Sequence, residues 1–199
     1  MNEQQYEKLL NINTSGNQYG FPKLAQYHRY EPTPYSGLEQ LFEHYILPEN
    51  ACLVDIGCGK GRVPIYIHHQ FQIPVVGIEM DQKFFVEAEH NREQYLKKFK
   101  RKGESIQFIN KLAETYKIAD KDNVFFFFNP FSIHVFRQVM NHIFDSIERK
   151  KRVVDVILYY PAPEYMLYLQ QELALNFLIE IKLMNEKNEN ERIVVFRMP

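Results

Sequence analysis

The segment Leu53-Val-Asp-Ile-Gly-Cys-Gly-Lys-Gly-Arg62 decides the fold that this sequence predicts. Residues 51–56 form a short apolar run that stops at the first glycine, which is typical of a buried strand. Glycines then follow at alternate positions: Gly57, Gly59 and Gly61. They let the backbone turn sharply and approach a ligand closely. A helix that begins near Arg62 would present unpaired N–H groups to an anionic group. The segment therefore predicts a strand, a ligand-binding turn and a helix.

An acidic residue follows at the end of the next predicted strand. Residues 74–78 form a second apolar run, and Glu79 comes 18 residues after Gly61. An acidic side chain there can accept hydrogen bonds from both hydroxyls of a ribose. The dinucleotide pattern G-x-G-x-x-G would need glycine where this chain has Arg62, and the sequence contains no P-loop motif. The turn and the acid together indicate a nucleoside-containing ligand of another kind.

Outward from this segment, strand and helix patterns alternate. Further strands are predicted over residues 106–109, 123–128 and 153–160, and helices over residues 36–47, 62–71, 81–102, 135–149 and 164–173. Residues 177–183 and 192–198 alternate in strand fashion around a polar loop over residues 185–191, which predicts an antiparallel hairpin. Such alternation predicts an α/β fold in which a mostly parallel sheet is covered by helices on both faces.

The composition limits the class of protein. The chain has 199 residues, which suits one globular domain. Its 24 Lys and Arg residues balance 25 Asp and Glu residues, and a net charge of -1 argues against dominant binding to a nucleic-acid backbone. The two cysteines, Cys52 and Cys58, supply neither a disulfide framework nor a four-ligand zinc site. We therefore predict no metal site.

No segment has the pattern of a targeting signal or a membrane span. Residues 1–8 lack the basic stretch and apolar run of a signal peptide. The longest apolar runs, residues 124–128 and 156–160, are far shorter than the ~20 residues that span a bilayer. We therefore expect a cytoplasmic protein with no membrane partner.

The pattern [DE]-x-G-x-G-x-G at residues 55–61 resembles motif I of the class I S-adenosylmethionine-dependent methyltransferases. The resemblance extends over residues 36–199, which it identifies as a methyltransferase domain. It implies a Rossmann-like three-layer sandwich with a seven-stranded sheet in the order 3-2-1-4-5-7-6, whose seventh strand is antiparallel. It also implies S-adenosylmethionine as the cofactor. Residues 1–35 precede this domain and are predicted to form an N-terminal arm.

The resemblance also assigns residues to the parts of the cofactor. Asp55 and the three glycines, Gly57, Gly59 and Gly61, match the turn that holds the methionine portion. Glu79 matches the acid that binds the ribose, and Met80 matches the residue that packs on the adenine. The family often has an aspartate after the third strand, where this chain has Leu112. Adenine would then be bound by backbone groups of Leu112 and Ala113, or by the side chains of Asn110 or Glu114.

A second motif lies at the end of the predicted fourth strand. Asn129-Pro130-Phe131 resembles the Asn-Pro-Pro-Tyr/Phe signature of methyltransferases that act on amino groups. In that signature the Asn side chain and the first Pro carbonyl accept hydrogen bonds from the target nitrogen, and the aromatic ring stacks on a planar target. Here one proline is missing, and Ser132 stands at the usual aromatic position. The resemblance makes all three residues candidates for catalysis and Asn129 a further candidate for cofactor contact. Alternatively, Asn129 only stabilises the turn after the strand.

The predicted arm is rich in side chains that bind ligands. Tyr30, Pro32 and Thr33 stand where some protein-lysine methyltransferases have a Tyr-x-Pro-Ser/Thr-like element, and Tyr30 and Thr33 are therefore candidates for cofactor contact. In this family, residues before the first strand often cover the cofactor, so residues 1–35 are predicted to act as a lid over the active site. The alternative is an aromatic arm that only packs on the surface.

The sequence as a whole predicts an S-adenosylmethionine-dependent methyltransferase. Asn129-Pro130-Phe131 favours a nitrogen acceptor, and the charge balance favours a protein or a small molecule over nucleic acid. Two alternatives stay open: a cofactor-binding protein without transfer activity, and an RNA or DNA base methyltransferase. Neither the individual acceptor nor the oligomeric state follows from the sequence.

Overall fold

A computed structural model describes residues 1–16, 24–100, 103–184, 188 and 190–198. Its seven strands are β1 (Leu53–Ile56), β2 (Val75–Glu79), β3 (Ile106–Asn110), β4 (Val124–Phe128), β5 (Val154–Tyr159), β6 (Asn176–Lys182) and β7 (Arg192–Met198). They form one sheet in the order β3-β2-β1-β4-β5-β7-β6. β7 runs antiparallel to β5 and β6, and the other neighbouring strands pair in parallel. The predicted α/β fold, with a mostly parallel seven-stranded sheet and a C-terminal hairpin, is confirmed.

Helices cover both faces of this sheet. They are α1 (Glu3–Leu10), α2 (Tyr35–His44), α3 (Arg62–Phe71), α4 (Gln82–Phe99), α5 (Ile133–Arg149) and α6 (Pro163–Leu167), which continues into a π-helical turn, Tyr168–Glu172. Short 3-10 turns precede and follow β3, at Gly103–Ser105 and Ala113–Thr115. None of the described helices has both the length and the apolar content needed to cross a bilayer.

The run of phenylalanines in β4 shows why both faces must be covered. Successive side chains of a strand point to opposite faces. Phe126 packs in the core layer that includes α1 to α4, whereas Phe125 and Phe127 pack in the opposite layer beneath α5. All three side chains are fully buried. The sheet is therefore the middle layer of a three-layer sandwich, as predicted.

Helix α1 is absent from the sequence prediction, which described residues 1–35 as an arm with little periodicity. The helix begins with a reciprocal cap, because Asn2 Oδ1 accepts from Gln5 N and Gln5 Oε1 accepts from Asn2 N, both at 2.9 Å. Tyr6 and Leu10 are buried against the core. Two buried positions in eight residues give too weak a pattern to predict a helix. Residues 17–23 of the predicted arm lie outside the described residues.

The end of the first predicted helix also needs correction. The sequence prediction placed Ser36 as the N-cap and continued the helix past Tyr45 and Ile46, whereas α2 begins at Tyr35 and ends at His44. Tyr45 is buried outside the helix, and its hydroxyl donates to Asp155 Oδ2 at 2.7 Å. Ile46 is 88% exposed. Of the predicted polar loop over residues 185–191, residues 185–187 and 189 lie outside the described residues.

Candidate active site

A cavity of about 380 Å³ opens where the carboxyl ends of β1, β2 and β4 meet. The chain runs from β1 outward to β2 and β3 and then returns to the other side of β1 with β4. In open α/β sheets ligands bind at such a reversal of strand order. The volume lies within the roughly 300–1,000 Å³ of small-molecule sites. Nine of the predicted site residues line the cavity: Tyr30, Thr33, Asp55, Gly57, Glu79, Met80, Ala113, Asn129 and Pro130.

The glycine turn shapes the floor of the cavity. Gly57 has φ +86°, and a Cβ on it would lie 2.8 Å from Pro130 Cβ, so no side chain fits between the turn and the loop after β4. Gly59 and Gly61 do not line the cavity themselves. They allow close packing instead, Gly59 against the ring of Tyr30 and Gly61 against that of Phe108. The turn thus serves as a support more than as a set of free backbone donors.

Two carboxylates, Asp55 and Glu79, lie in the cavity wall. Glu79 Oε2 accepts from Gly59 N at 2.9 Å and Glu79 Oε1 accepts from Asp81 N at 2.7 Å. Burial raises the pKa of Glu79, although these backbone donors oppose the shift. Burial, and next the charge of Glu79, raise the pKa of Asp55 well above its usual value. Burial deprives the two carboxylates of water, which disfavours their charged form. A cationic or hydroxyl-bearing ligand would stabilise that form by taking the place of the lost water.

The same carboxylates affect the thiol of Cys58, which also lines the cavity. Burial raises the pKa of Cys58, and the charges of Asp55 and Glu79 raise it further. The protonated thiol is therefore a poor nucleophile. Within the described parts of the chain, no group of three or more His, Cys, Asp or Glu side chains could hold a metal ion.

The predicted adenine region is only partly at the cavity. Met80 and Ala113 line it, whereas Leu112 is not among the lining residues and packs against the core. Asn110 Nδ2 donates to the carbonyls of Glu79 and Met80, at 2.9 and 3.2 Å. Asn110 therefore links the ends of β2 and β3 and does not line the cavity.

The other predicted substitute at the adenine region, Glu114, also has a structural partner. Glu114 Oε2 accepts from the Tyr27 hydroxyl at 2.6 Å, and the same hydroxyl accepts from Ala113 N at 3.2 Å. Glu114 is not among the lining residues. Of the groups considered for adenine, Ala113 and Met80 are those that the structure brings to the cavity.

The loop after β4 brings Asn129 and Pro130 to the cavity but not Phe131. Asn129 has φ +39°, and its Oδ1 is buried without a hydrogen-bond partner among the described residues. Phe131 is 1% exposed, its ring packs edge-on against Tyr27, and its carbonyl accepts from the Tyr165 hydroxyl. Phe131 was predicted as a candidate for catalysis, but it does not line the cavity, because its ring belongs to the core beside α5.

The N-terminal segment, defined here as residues 24–34, forms a wall of the cavity by pairing with that loop. Tyr27 and Phe131 form an antiparallel bridge, and Ser132 N donates to Gln26 O at 2.7 Å. His28 N donates to Pro130 O at 2.9 Å, and His28 Nδ1 donates to Asn129 O at 2.6 Å. The Pro130 carbonyl, which the sequence resemblance assigned to a target nitrogen, thus already has an internal partner. The role of residues 1–35 as a lid over the active site stays a prediction.

Arg62 is the main residue of this region that the sequence analysis missed. Its guanidinium is buried, ion-pairs with Glu3 and Glu7 of α1, and donates to Thr14 Oγ1 at 2.7 Å and to Thr33 O at 2.9 Å. The guanidinium also lies over the ring of Tyr35. The signal available in the sequence was a pair of acids four residues apart at 3 and 7, which a helix places on one face.

Comparisons with known proteins agree with this architecture. No protein-family model and no curated protein matches the chain. An RNA methyltransferase from Salinibacter ruber, solved with S-adenosyl-L-homocysteine, has a TM-score of 0.58 and 17% identity, covering 84% of this chain and 92% of its own. An S-adenosylmethionine-dependent methyltransferase from Corynebacterium glutamicum has a TM-score of 0.53 and 14% identity, covering 81% and 86%.

A third similar structure is a geranyl diphosphate C-methyltransferase from Streptomyces coelicolor, solved with S-adenosyl-L-homocysteine. Its TM-score is 0.54 at 12% identity, covering 82% of this chain and 76% of its own. The chain thus has the fold of the class I S-adenosylmethionine-dependent methyltransferases, as the glycine turn predicted. RNA and a small diphosphate appear among the substrates of these structures, so the fold alone does not define the acceptor.

Proposed function

We propose that this protein is an S-adenosylmethionine-dependent methyltransferase that acts on a nitrogen of a protein or small molecule. One observation carries the proposal. Asn129, with φ +39° and an unpartnered buried Oδ1, lies in the same cavity as the carboxylates Asp55 and Glu79. An unpartnered buried acceptor is costly unless a donor binds to it. The cavity thus combines carboxylates suited to a nucleoside ligand with a hydrogen-bond acceptor, Asn129 Oδ1, for an N–H group.

The residues present fit the cofactor. Asp55 and the uncapped N-terminus of α3 would hold the amino and carboxylate groups of the methionine portion. Each oxygen of Glu79 has one internal donor and keeps capacity for a ribose hydroxyl. Met80 and Ala113 would contact the adenine. When bound, S-adenosylmethionine supplies a methyl group on a positively charged sulfur.

Asn129 would orient the acceptor nitrogen by accepting its hydrogen bond, which is catalysis by positioning. Transfer forms an N–C bond and breaks the S–C bond, the bonding pair stays on sulfur, and the nitrogen loses a proton to water. No described residue has to become a covalent intermediate. The pairing of residues 24–34 with the loop after β4 would hold Asn129 and Pro130 in place beside the cofactor.

Calorimetric titration with S-adenosylhomocysteine, with NAD and ATP as controls, tests the cofactor. We expect selective micromolar binding. Methylation of cell extract, separated into protein and small-molecule fractions, then tests transfer. Asn129→Gly keeps the backbone conformation while removing the side chain, and we expect about 100-fold slower transfer with nearly unchanged cofactor affinity. Absence of binding would refute the proposal, and binding without transfer would favour a cofactor-binding protein.

A second candidate acceptor is RNA, because several of the similar structures are RNA methyltransferases. The net charge of -1 opposes it. RNA binding would show as retention on an RNA column at low salt that is lost as salt rises. Lack of retention at low salt would eliminate this candidate.

A further inference from the structure

The cavity continues past the proposed cofactor groups along the edge of the sheet. In sheet order, Glu79 ends β2, Asn129 follows β4 and Tyr160 follows β5. Strands lie about 4.8 Å apart, so the ends of β2 and β5 are separated by about 14 Å. Tyr160 N donates to Arg192 O at 3.0 Å, which brings Glu191, the residue before β7, to the same edge. We call Phe128, Asn129, Tyr160 and Glu191 the acceptor end of the cavity.

Glu191 presents a fixed carboxylate there. Its Oε2 accepts from the Tyr159 hydroxyl at 2.8 Å. The backbone is held by the hairpin, because Glu191 N donates to Asn188 O at 2.9 Å and Leu183 N donates to Glu191 O at 3.2 Å. Among the described residues, none donates to its other oxygen or forms an ion pair with it. The carboxylate is therefore positioned by the protein and, within the described parts of the chain, has no cationic partner.

The aromatic residues of the acceptor end are also held in place. The ring of Phe128 packs edge-on against Tyr159, with centroids 4.5 Å apart. The Tyr160 hydroxyl accepts from Asn188 Nδ2 at 2.9 Å. Tyr160 has φ +50°, an unfavourable backbone conformation for a bulky residue, and Asn129 on the next strand has φ +39°. Two such residues at adjacent strand ends in one cavity mark a functional site.

The carboxylate, the amide oxygen and the aromatic rings of the acceptor end all favour a positively charged N–H donor. A carboxylate attracts a cation, an unpartnered amide oxygen accepts an N–H bond, and aromatic rings stabilise a nearby ammonium. We propose that the acceptor end binds a protonated aliphatic amine, with Glu191 as its counter-ion. This inference rests on the proposed function, because the amine would be the methyl acceptor once the ammonium loses a proton to water, which frees the nitrogen lone pair to attack the methyl carbon. A free polyamine and a lysine side chain both carry this chemistry.

Two of the cationic residues that line the cavity, Lys111 and Arg62, are placed away from Glu191. Lys111 follows β3, at the far side of the sheet, and its N–H donates to Glu79 O at 3.1 Å. The Arg62 guanidinium is engaged with Glu3 and Glu7. The charge of Glu191 is therefore available to a ligand more than to these groups.

The test is a titration, followed by NMR, of the full chain saturated with S-adenosylhomocysteine. The probes are spermidine, Nα-acetyl-lysine amide, and the uncharged analogue Nα-acetyl-norleucine amide. We expect an amine to bind and the norleucine analogue not to bind. Preference between spermidine and the lysine amide distinguishes a small-molecule from a protein source.

Matched variants test the assigned carboxylate. Glu191→Gln should weaken amine binding about tenfold or more, the scale of a charge-assisted hydrogen bond. Glu180→Gln is the control, because Glu180 lies on β6 of the same hairpin and is not among the lining residues. Its amine affinity should stay within about twofold of the wild type. Tyr159→Phe keeps the charge of Glu191 but removes the hydrogen bond that positions its carboxylate. It should therefore lower the amine affinity less than Glu191→Gln does.

The outcomes separate the two proposals. Cofactor binding without amine binding, or equal binding of the norleucine analogue, would overturn the inference while leaving the proposed methyltransferase in place. Equal losses in Glu191→Gln and Glu180→Gln would overturn the role of Glu191. If Glu191→Gln failed to fold, the wild-type comparison of lysine and norleucine amides would still decide whether the site prefers a cation. Failure to bind S-adenosylhomocysteine would remove both proposals.

Discussion

The ring of Tyr30 lies directly on Gly59: a Cβ built on this glycine would fall 2.1 Å from Tyr30 Cε2. The Tyr30 hydroxyl donates to Thr14 O at 2.6 Å, and the Lys60 ammonium lies 5.6 Å from the ring centroid. The tyrosine therefore joins the N-terminal region to the glycine turn. Residues 24–34 and the turn form one packed unit, so the N-terminal segment is part of the site.

We expect Gly59→Ala to lower the free energy of unfolding by about 2–4 kcal/mol, because the methyl group both strains the backbone and displaces Tyr30. Gly16→Ala is a matched control. Gly16 also has a positive φ, +85°, but apart from its chain neighbours none of the described residues lies within 4 Å of a Cβ built there. Gly16→Ala should lower the free energy of unfolding by only about 1–2 kcal/mol. Urea denaturation measures both, and equal losses would show that the contact with Tyr30 adds nothing.

Glu79→Ala should weaken binding of S-adenosylhomocysteine by about 1–3 kcal/mol, the scale of hydrogen bonds lost to a charged group. The variant also releases Gly59 N, so a loss of stability should accompany it. Glu87→Ala, on the adjacent helix α4, removes a carboxylate that pairs with Lys60 instead. Calorimetry should give this control the wild-type affinity. Unchanged affinity in Glu79→Ala would mean that the ribose binds elsewhere.

Asp55 should make the stability of the free protein depend on pH. Its pKa in the folded protein is raised, so its stabilising contribution is complete below about 3.8 and is lost as the pH rises through the folded pKa. Asp55→Asn carries no charge and should escape this loss. We therefore expect the variant to gain stability over the wild type between pH 4 and pH 8 in urea denaturation. A difference that is constant with pH would contradict a raised pKa of Asp55 in the folded protein.

Arg62→Met should lower the free energy of unfolding by about 3–5 kcal/mol, because it leaves the carboxylate of Glu7 half-buried and without its cation. The ion pair between Arg137 and Glu172 is a matched control, since both side chains are more than 40% exposed. Arg137→Met should change stability by less than about 1 kcal/mol. Limited proteolysis should also show α1 cut faster in Arg62→Met, and equal cutting would argue against this anchoring role.

The strands and the glycine turn were predictable because their signals are local. Apolar runs such as residues 74–78 and 124–128 end at turn residues, and the strand order followed from the resemblance that the turn carried. Helix α1 was not predicted, because only two of its eight residues are buried and the ion-pair partner of its acids, Arg62, lies more than 50 residues later in the chain. A short sequence pattern carries no information about an ion-pair partner so far away in the chain.

The site was predictable to the extent that strand ends decide it. Glu79 and Asn129 were assigned from their positions after apolar runs and Asp55 from the resemblance of the glycine turn, and all three line the cavity. Phe131 was assigned as a candidate for catalysis but lies in the core, because an aromatic residue at a site and one that packs in the core look alike in sequence. Glu191 was missed because its place depends on the pairing of β7 with β5.

The position of β7 has a consequence for synthesis of the chain. β7 is made after both of its neighbours, yet it lies between β5 and β6. A nascent chain that has made β6 therefore has two strands whose facing edges cannot pair until β7 arrives. Open edges recruit strands of other molecules. Chains that stop before residue 192 should therefore aggregate on the ribosome or soon after release, and they should lack the strand that holds Glu191 at the acceptor end.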